Sequence, residues 1–170
     1  MKKNLFTLLL LLAAMVTAQA QSLTGKTWVS DISTNDMPDT GLVMTFDDDG
    51  TCAMGMVSTQ SVDKETDLDM NLTFVCPGIY LLDGDQLNMM IDTSKADLEF
   101  EFDSETLDKS TIDLFTSLLR PELEKEKPEM IKQFIEDLPA VSEYTIVSLT
   151  DGELTLSDGE TERTFIAVRE

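Results

Sequence analysis

Apolar and polar residues alternate along most of this chain. Leu68, Met70, Leu72, Phe74 and Cys76 are interleaved with Asp69, Asn71, Thr73 and Val75, and Leu98, Phe100 and Phe102 with Glu99, Glu101 and Asp103. Side chains two apart share one face of a strand, so each segment has an apolar side and a wet side. An antiparallel sheet with one solvated face needs that division. Shorter stretches repeat it at 26–32, 42–46, 51–57, 79–82, 86–91, 143–149, 153–156 and 162–168. Asp-Gly pairs punctuate them at 49–50, 83–84, 151–152 and 158–159. Glycine supplies the positive φ that a tight hairpin requires, because it has no Cβ to clash. The pattern predicts an antiparallel meander that closes on itself. Pro77-Gly78 should interrupt it, since a central strand does not tolerate proline. Residues 33–40 and 58–67 read as loops.

The period changes between about 107 and 138. Ile112, Phe115, Leu119 and Leu123 recur at helical spacing, followed by Met130 or Ile131, Phe134, Ile135 and Leu138. They form one apolar stripe on a charged background. Proline costs about 3 kcal/mol inside a helix, so Pro121 and Pro128 should divide the stretch, and each is acceptable at the first position of a new helix. Two or three short helices are expected, ending at Pro139. Their stripe has three readings: a lid over the barrel mouth, a groove for a partner, or a plug at one end. The plug is the most economical, because an apolar stripe seeks the nearest apolar surface.

The N-terminus changes the domain picture. Lys2-Lys3 precede an apolar run from Leu5 to Val16 and an Ala18-Gln19-Ala20 site. This has the layout of a secretory signal peptide, and the run falls short of the roughly 20 residues that span a bilayer. Residues 1–20 are therefore assigned to a signal peptide and 21–170 to a single domain. Export places the protein in the periplasm or outside the cell. With 33 acidic and 12 basic residues the net charge is −21, and both Lys2 and Lys3 leave with the leader. Such a surface repels nucleic-acid phosphates and anionic lipid headgroups, so neither nucleic acid nor, once the signal is removed, membrane is an expected partner.

Candidate chemistry is sparse. There is no histidine, which removes Ser-His and Cys-His nucleophile pairs and the commonest zinc ligand. No metal, cofactor or catalytic residue is expected. A carboxylate pair of the kind glycoside hydrolysis uses needs a set separation that sequence does not display. Asp47-Asp48-Asp49-Gly50 admits a calcium reading, but Thr45 stands where an EF-hand needs its first acid, and a hairpin turn explains the same residues. Cys52 and Cys76 permit one disulfide, and both also fall on apolar strand faces as buried free thiols would. A direct bridge requires Met54 to face Phe74 and Met56 to face Leu72. Several of the ten methionines, among them Met44, Met54, Met56, Met70 and Met89, fall on inner faces. They either line an adaptable cavity or fill an ordinary core.

Leu23-Thr24-Gly25-Lys26-Thr27-Trp28 opens the first strand, Met44-Thr45-Phe46-Asp47-Asp48-Asp49-Gly50-Thr51 makes a hairpin, and Pro77-Gly78-Ile79-Tyr80 leads into Leu82-Asp83-Gly84-Asp85-Gln86-Leu87. Leu149-Thr150-Asp151-Gly152-Glu153-Leu154 closes the set. In this order they resemble the lipocalin-like domains of secreted bacterial proteins. The resemblance implies a mainly β, antiparallel up-and-down calycin or lipocalin-like barrel of about eight to ten strands, here with the helices inserted before the last strands. It further implies an interior able to hold a small apolar molecule. Lipocalins place the tryptophan of a Gly-x-Trp motif at the barrel floor, under an arginine from a late strand. The spacing here is Gly25-x-x-Trp28, and Arg163 or Arg169 is the matching arginine. The expected function is non-enzymatic binding of a small hydrophobic ligand inside or at the mouth of the barrel. Trp28, Phe46, Met54, Met56, Phe74, Met89, Phe100 and Phe102 are the candidate lining residues. The alternative is a structural or protein-interaction module with a solid core and a partner the sequence does not identify.

Overall fold

The computed structural model describes residues 23–34, 39–63, 65–136 and 138–168. The signal peptide, the tip of the 33–40 loop and Arg169 lie outside them. Nine strands run in chain order: β1 (Thr27–Asp31), β2 (Thr40–Phe46), β3 (Thr51–Asp63), β4 (Leu68–Asp83), β5 (Gln86–Ile91), β6 (Asp97–Ser104), β7 (Val141–Leu149), β8 (Glu153–Ser157) and β9 (Glu162–Val168). One helix, α1 (Lys109–Glu136), joins β6 to β7. All pairings are antiparallel. The order β3-β2-β1-β9-β8-β7-β5-β4, with β4 returning to β3, closes eight strands into a barrel.

The ninth strand occupies a split edge. The first half of β4 pairs with β6 from Leu68↔Ser104 to Val75↔Asp97, and its second half pairs with β5 from Gly78↔Ile91 to Asp83↔Gln86. Pro77 sits at the changeover, so β4 runs straight through a residue expected to break it. Its carbonyl accepts from Asp92 N–H at 2.8 Å. A strand residue points its N–H and C=O to the same side. The N–H that proline lacks would therefore face the interval between β6 and β5, where no ladder bond is needed. The predicted 58–67 loop is also shorter than expected, because β3 continues to Asp63 opposite Leu68.

Three of the four Asp-Gly turns use positive φ, at Gly50, Gly84 and Gly159. Asp151-Gly152 does not. That turn is held by the Thr150 hydroxyl, which accepts from Glu153 N–H at 3.0 Å and Gly152 N–H at 3.3 Å, so glycine's special freedom is not used there.

The inward columns meet as the alternation requires. Leu68, Leu72, Leu98 and Phe100 are buried, and Met70, half-buried, packs against the core cluster that holds the last three. At the closed end Trp28, Phe46, Met54, Leu87, Met89 and Leu154 form a solid floor. Trp28 donates its indole N–H to Leu23 O at 2.9 Å, so the most buried polar atom of the floor is satisfied.

Where two or three helices were expected there is one. Asp108 starts it, its carboxylate accepting from Ser110 N–H at 2.9 Å and Thr111 N–H at 3.1 Å, the usual N-cap arrangement. Pro121 and Pro128 are seven apart, hence on one face, and that face is exposed. The carbonyls they leave without a donor, at Ser117 and Glu124, belong to exposed residues too. Exposed carbonyls can bond to solvent instead, which removes much of the penalty. The predicted stripe faces inward: Leu123, Met130, Ile131, Phe134 and Ile135 pack against the core.

Candidate cavity at the barrel mouth

A cavity of about 570 Å³ opens at the end of the barrel away from the floor. The alternation of β2, β3 and β4 aims Leu42, Met44, Met56 and Phe74 into it, and that of β8 and β9 contributes Leu156 and Phe165. The last turns of α1 cover one side through Phe134, with Leu138 just beyond the helix end. Phe134 stacks on Phe74 with ring centroids 4.9 Å apart and planes at 28°. This contact ties the cover to the wall, a geometry that adds about 0.5–1.5 kcal/mol beyond area burial.

Gly55 also borders the cavity. A Cβ there would stand 1.9 Å from the Phe74 carbonyl oxygen, so the two backbones approach more closely than any side chain allows.

The polar side chains of the lining are Gln133 and Tyr144 and, from the β8–β9 hairpin, Asp158, Thr161 and Arg163. The Asp158 carboxylate accepts from Thr161 N–H at 2.8 Å, Glu160 N–H at 2.9 Å and the Thr161 hydroxyl at 3.1 Å. These bonds, the Thr161 N–H first, hold its carboxyl below the usual carboxylate range.

Of the eight lining residues expected from sequence, Met56 and Phe74 reach the cavity. Trp28, Phe46, Met54 and Met89 are in the solid floor. Phe100 is buried in the core and Phe102 is half-buried on β6. Their inward direction was legible, but position along the barrel axis was not, because the alternation of period two carries no depth. Met44 was seen as inward. Tyr144, Phe165 and Arg163 as wall residues were missed, and the inward phase of the last two strands was the signal that pointed to Phe165.

Of the two arginines expected over Trp28, Arg169 lies outside the described residues, and the cation seen beside the ring is a lysine. Lys26 Nζ stands 5.5 Å from the centroid of the Trp28 ring and 3.3 Å from Asp151. Arg163 lies toward the other end of β9, since Ala167 is the residue paired with Trp28.

Cys52 and Cys76 are free and buried. Cys76 faces Met54, Cys52 faces Gly78 and Met56 faces Phe74, so the register is two residues away from a direct bridge. The cysteines are diagonal neighbours, which are typically about 7–8 Å apart, beyond the Cα separation a disulfide spans. Burial, with the Asp47 charge second, pushes the Cys52 thiol up to about 11. Burial, then Asp92, raises Cys76 as well.

Asp47-Asp48-Asp49-Gly50 forms a hairpin turn: Asp49 accepts from Thr51 N–H at 2.9 Å, and Asp47 O from Gly50 N–H at 3.1 Å. Among the described residues no group of three acidic, cysteine or histidine side chains is placed to hold a metal ion. No described helix is long and apolar enough to cross a membrane.

A closed antiparallel barrel of eight strands in up-and-down order is the architecture that lipocalins share with streptavidin. No protein-family model and no curated protein matches the chain. Among solved structures, a lipocalin-like protein from Bacteroides uniformis is similar, at 12% identity and a TM-score of 0.41, covering 85% of this chain and 97% of that one.

Proposed function

We propose that this protein is an exported, non-enzymatic carrier or receptor for a small hydrophobic ligand, held at the barrel mouth beneath the end of α1. The observation that carries this reading is the cavity itself. Its 570 Å³ falls within the range of small-molecule sites, and its walls are apolar side chains with a few polar groups at one edge. Met44 and Met56 suit it to ligands of varied shape, because methionine repacks at little cost. The part of the proposal that concerns export rests on the Lys2-Lys3, apolar-run and Ala18-Gln19-Ala20 layout.

Purified protein is expected to bind a lipophilic fluorescent probe with one-to-one stoichiometry, and native mass spectrometry should show it as an adduct of the folded chain. Replacing Met56 with Trp should fill the space and weaken the probe at least tenfold. Full probe affinity in that variant, or no binding by the unaltered protein, contradicts the proposal.

The solid-core alternative draws on one feature. Ile79, Met90 and Val141 face one another across β4, β5 and β7 and are 53%, 54% and 63% exposed. An apolar row of that kind is a common mark of a protein contact. Lysine at Met90 would weaken such a contact and leave the cavity untouched.

A further inference from the structure

From the edge of the cavity we infer a ligand class: an anionic amphiphile, with its negatively charged head on Arg163 and its apolar chain directed toward Met44, Met56 and Phe165. This rests on the cavity being the binding site, and it adds what the head must be.

The argument starts from charge. Acidic residues outnumber basic ones 33 to 12, so a cation in this chain is surrounded by prospective partners. Five lysines take them, at 26, 95, 125, 127 and 132. Arg120 donates to the Phe100 carbonyl at 3.4 Å. Arg163 and Lys109 have no ion pair or side-chain hydrogen bond among the described residues, and of these two only Arg163 lines the cavity, where Asp158, the other charged side chain among its described lining residues, borders the same space. Asp158 instead spends its carboxylate on Thr161 and Glu160, within its own turn.

A guanidinium presents its donors as a planar fork that fits a carboxylate bidentately. Here that fork stands beside an apolar hollow, with the Gln133 amide and the Thr161 side chain on the same lining. A neutral ligand would leave the fork to water. A ligand with a carboxylate head and a long alkyl chain engages both parts. The net charge of −21 opposes the approach of any anion, so the preference is local and short-ranged, set by paired hydrogen bonds rather than by the field of the whole surface.

Competition against a bound lipophilic probe tests this, with laurate and lauryl alcohol as the two competitors at low ionic strength and neutral pH. A charge-assisted pair predicts that laurate displaces the probe roughly tenfold or more better than the alcohol. In Arg163→Gln that preference should shrink to within about twofold, and Arg163→Lys should retain part of it. Circular dichroism checks that each variant is folded. Equal displacement by the two competitors in the unaltered protein, or an undiminished preference in Arg163→Gln, overturns the inference and leaves the cavity reading standing. Failure of both competitors and of the probe itself overturns the cavity reading, and this inference with it.

Discussion

At the scale of single residues, two glycines next to one another in type behave oppositely. Gly55 on β3 lies hard against the backbone of β4, and an added methyl would overlap the Phe74 carbonyl. Gly55→Ala is expected to lower stability by about 1–3 kcal/mol, the usual cost of forcing atoms into a packed site. A Cβ at Gly152 meets nothing within 4 Å, and its φ is not positive. Gly152→Ala should be neutral or stabilising by up to about 1 kcal/mol, through the unfolded chain. Urea denaturation of the two variants side by side measures both. Sequence marked Gly152 as the turn residue and passed over Gly55, because a close backbone approach leaves no mark in composition. The cysteines carry a second expectation. With both thiols buried and raised, a thiol reagent at pH 8 should label neither in the folded protein and both in denaturant. Since the folded Cys52 value lies above the unfolded one, its contribution to stability is complete below pH 9 and is lost as pH rises toward about 11. Rapid labelling of native protein would mean that the floor is open.

At the scale of elements, α1 shows where a local rule needed its surroundings. The stripe from Leu123 to Leu138 was readable from spacing and is the face that packs. The number of helices was not readable, because the penalty for Pro121 and Pro128 depends on whether water reaches Ser117 and Glu124, and that is a property of the assembled molecule. Pro77 makes the same point on β4, where a split edge excuses a missing donor. The helix has no fully buried residue, whereas every barrel strand has at least one, so its attachment is weaker than that of the strands. Phe134→Ala removes the stack on Phe74 and should loosen the C-terminal half of α1 while the barrel persists. Hydrogen exchange should show roughly tenfold faster exchange across 123–136, with β2, β8 and β9 unchanged. Uniform acceleration over the whole chain would show that the helix is integral to the barrel and not a cover laid on it.

At the scale of the whole molecule, the barrel is filled at one end and hollow at the other. Trp28, Phe46, Met54 and Met89 close the floor, and Met44, Met56, Phe74 and Phe165 surround the space above. The closed meander was legible because alternation and turn chemistry agree along the chain. The division into floor and cavity was not, since it depends on which strand ends converge and on what α1 covers. The methionines report on both regions, which makes their methyl groups the most direct test of the account. In a 13C-methyl NMR titration with a lipophilic ligand, Met44 and Met56 are expected to shift in a saturable manner, while Met54 and Met89 stay in place. Shifts confined to the exposed Met90, equal shifts at Met54 and Met89, or no shift at any methionine would contradict a ligand cavity at the mouth of this barrel.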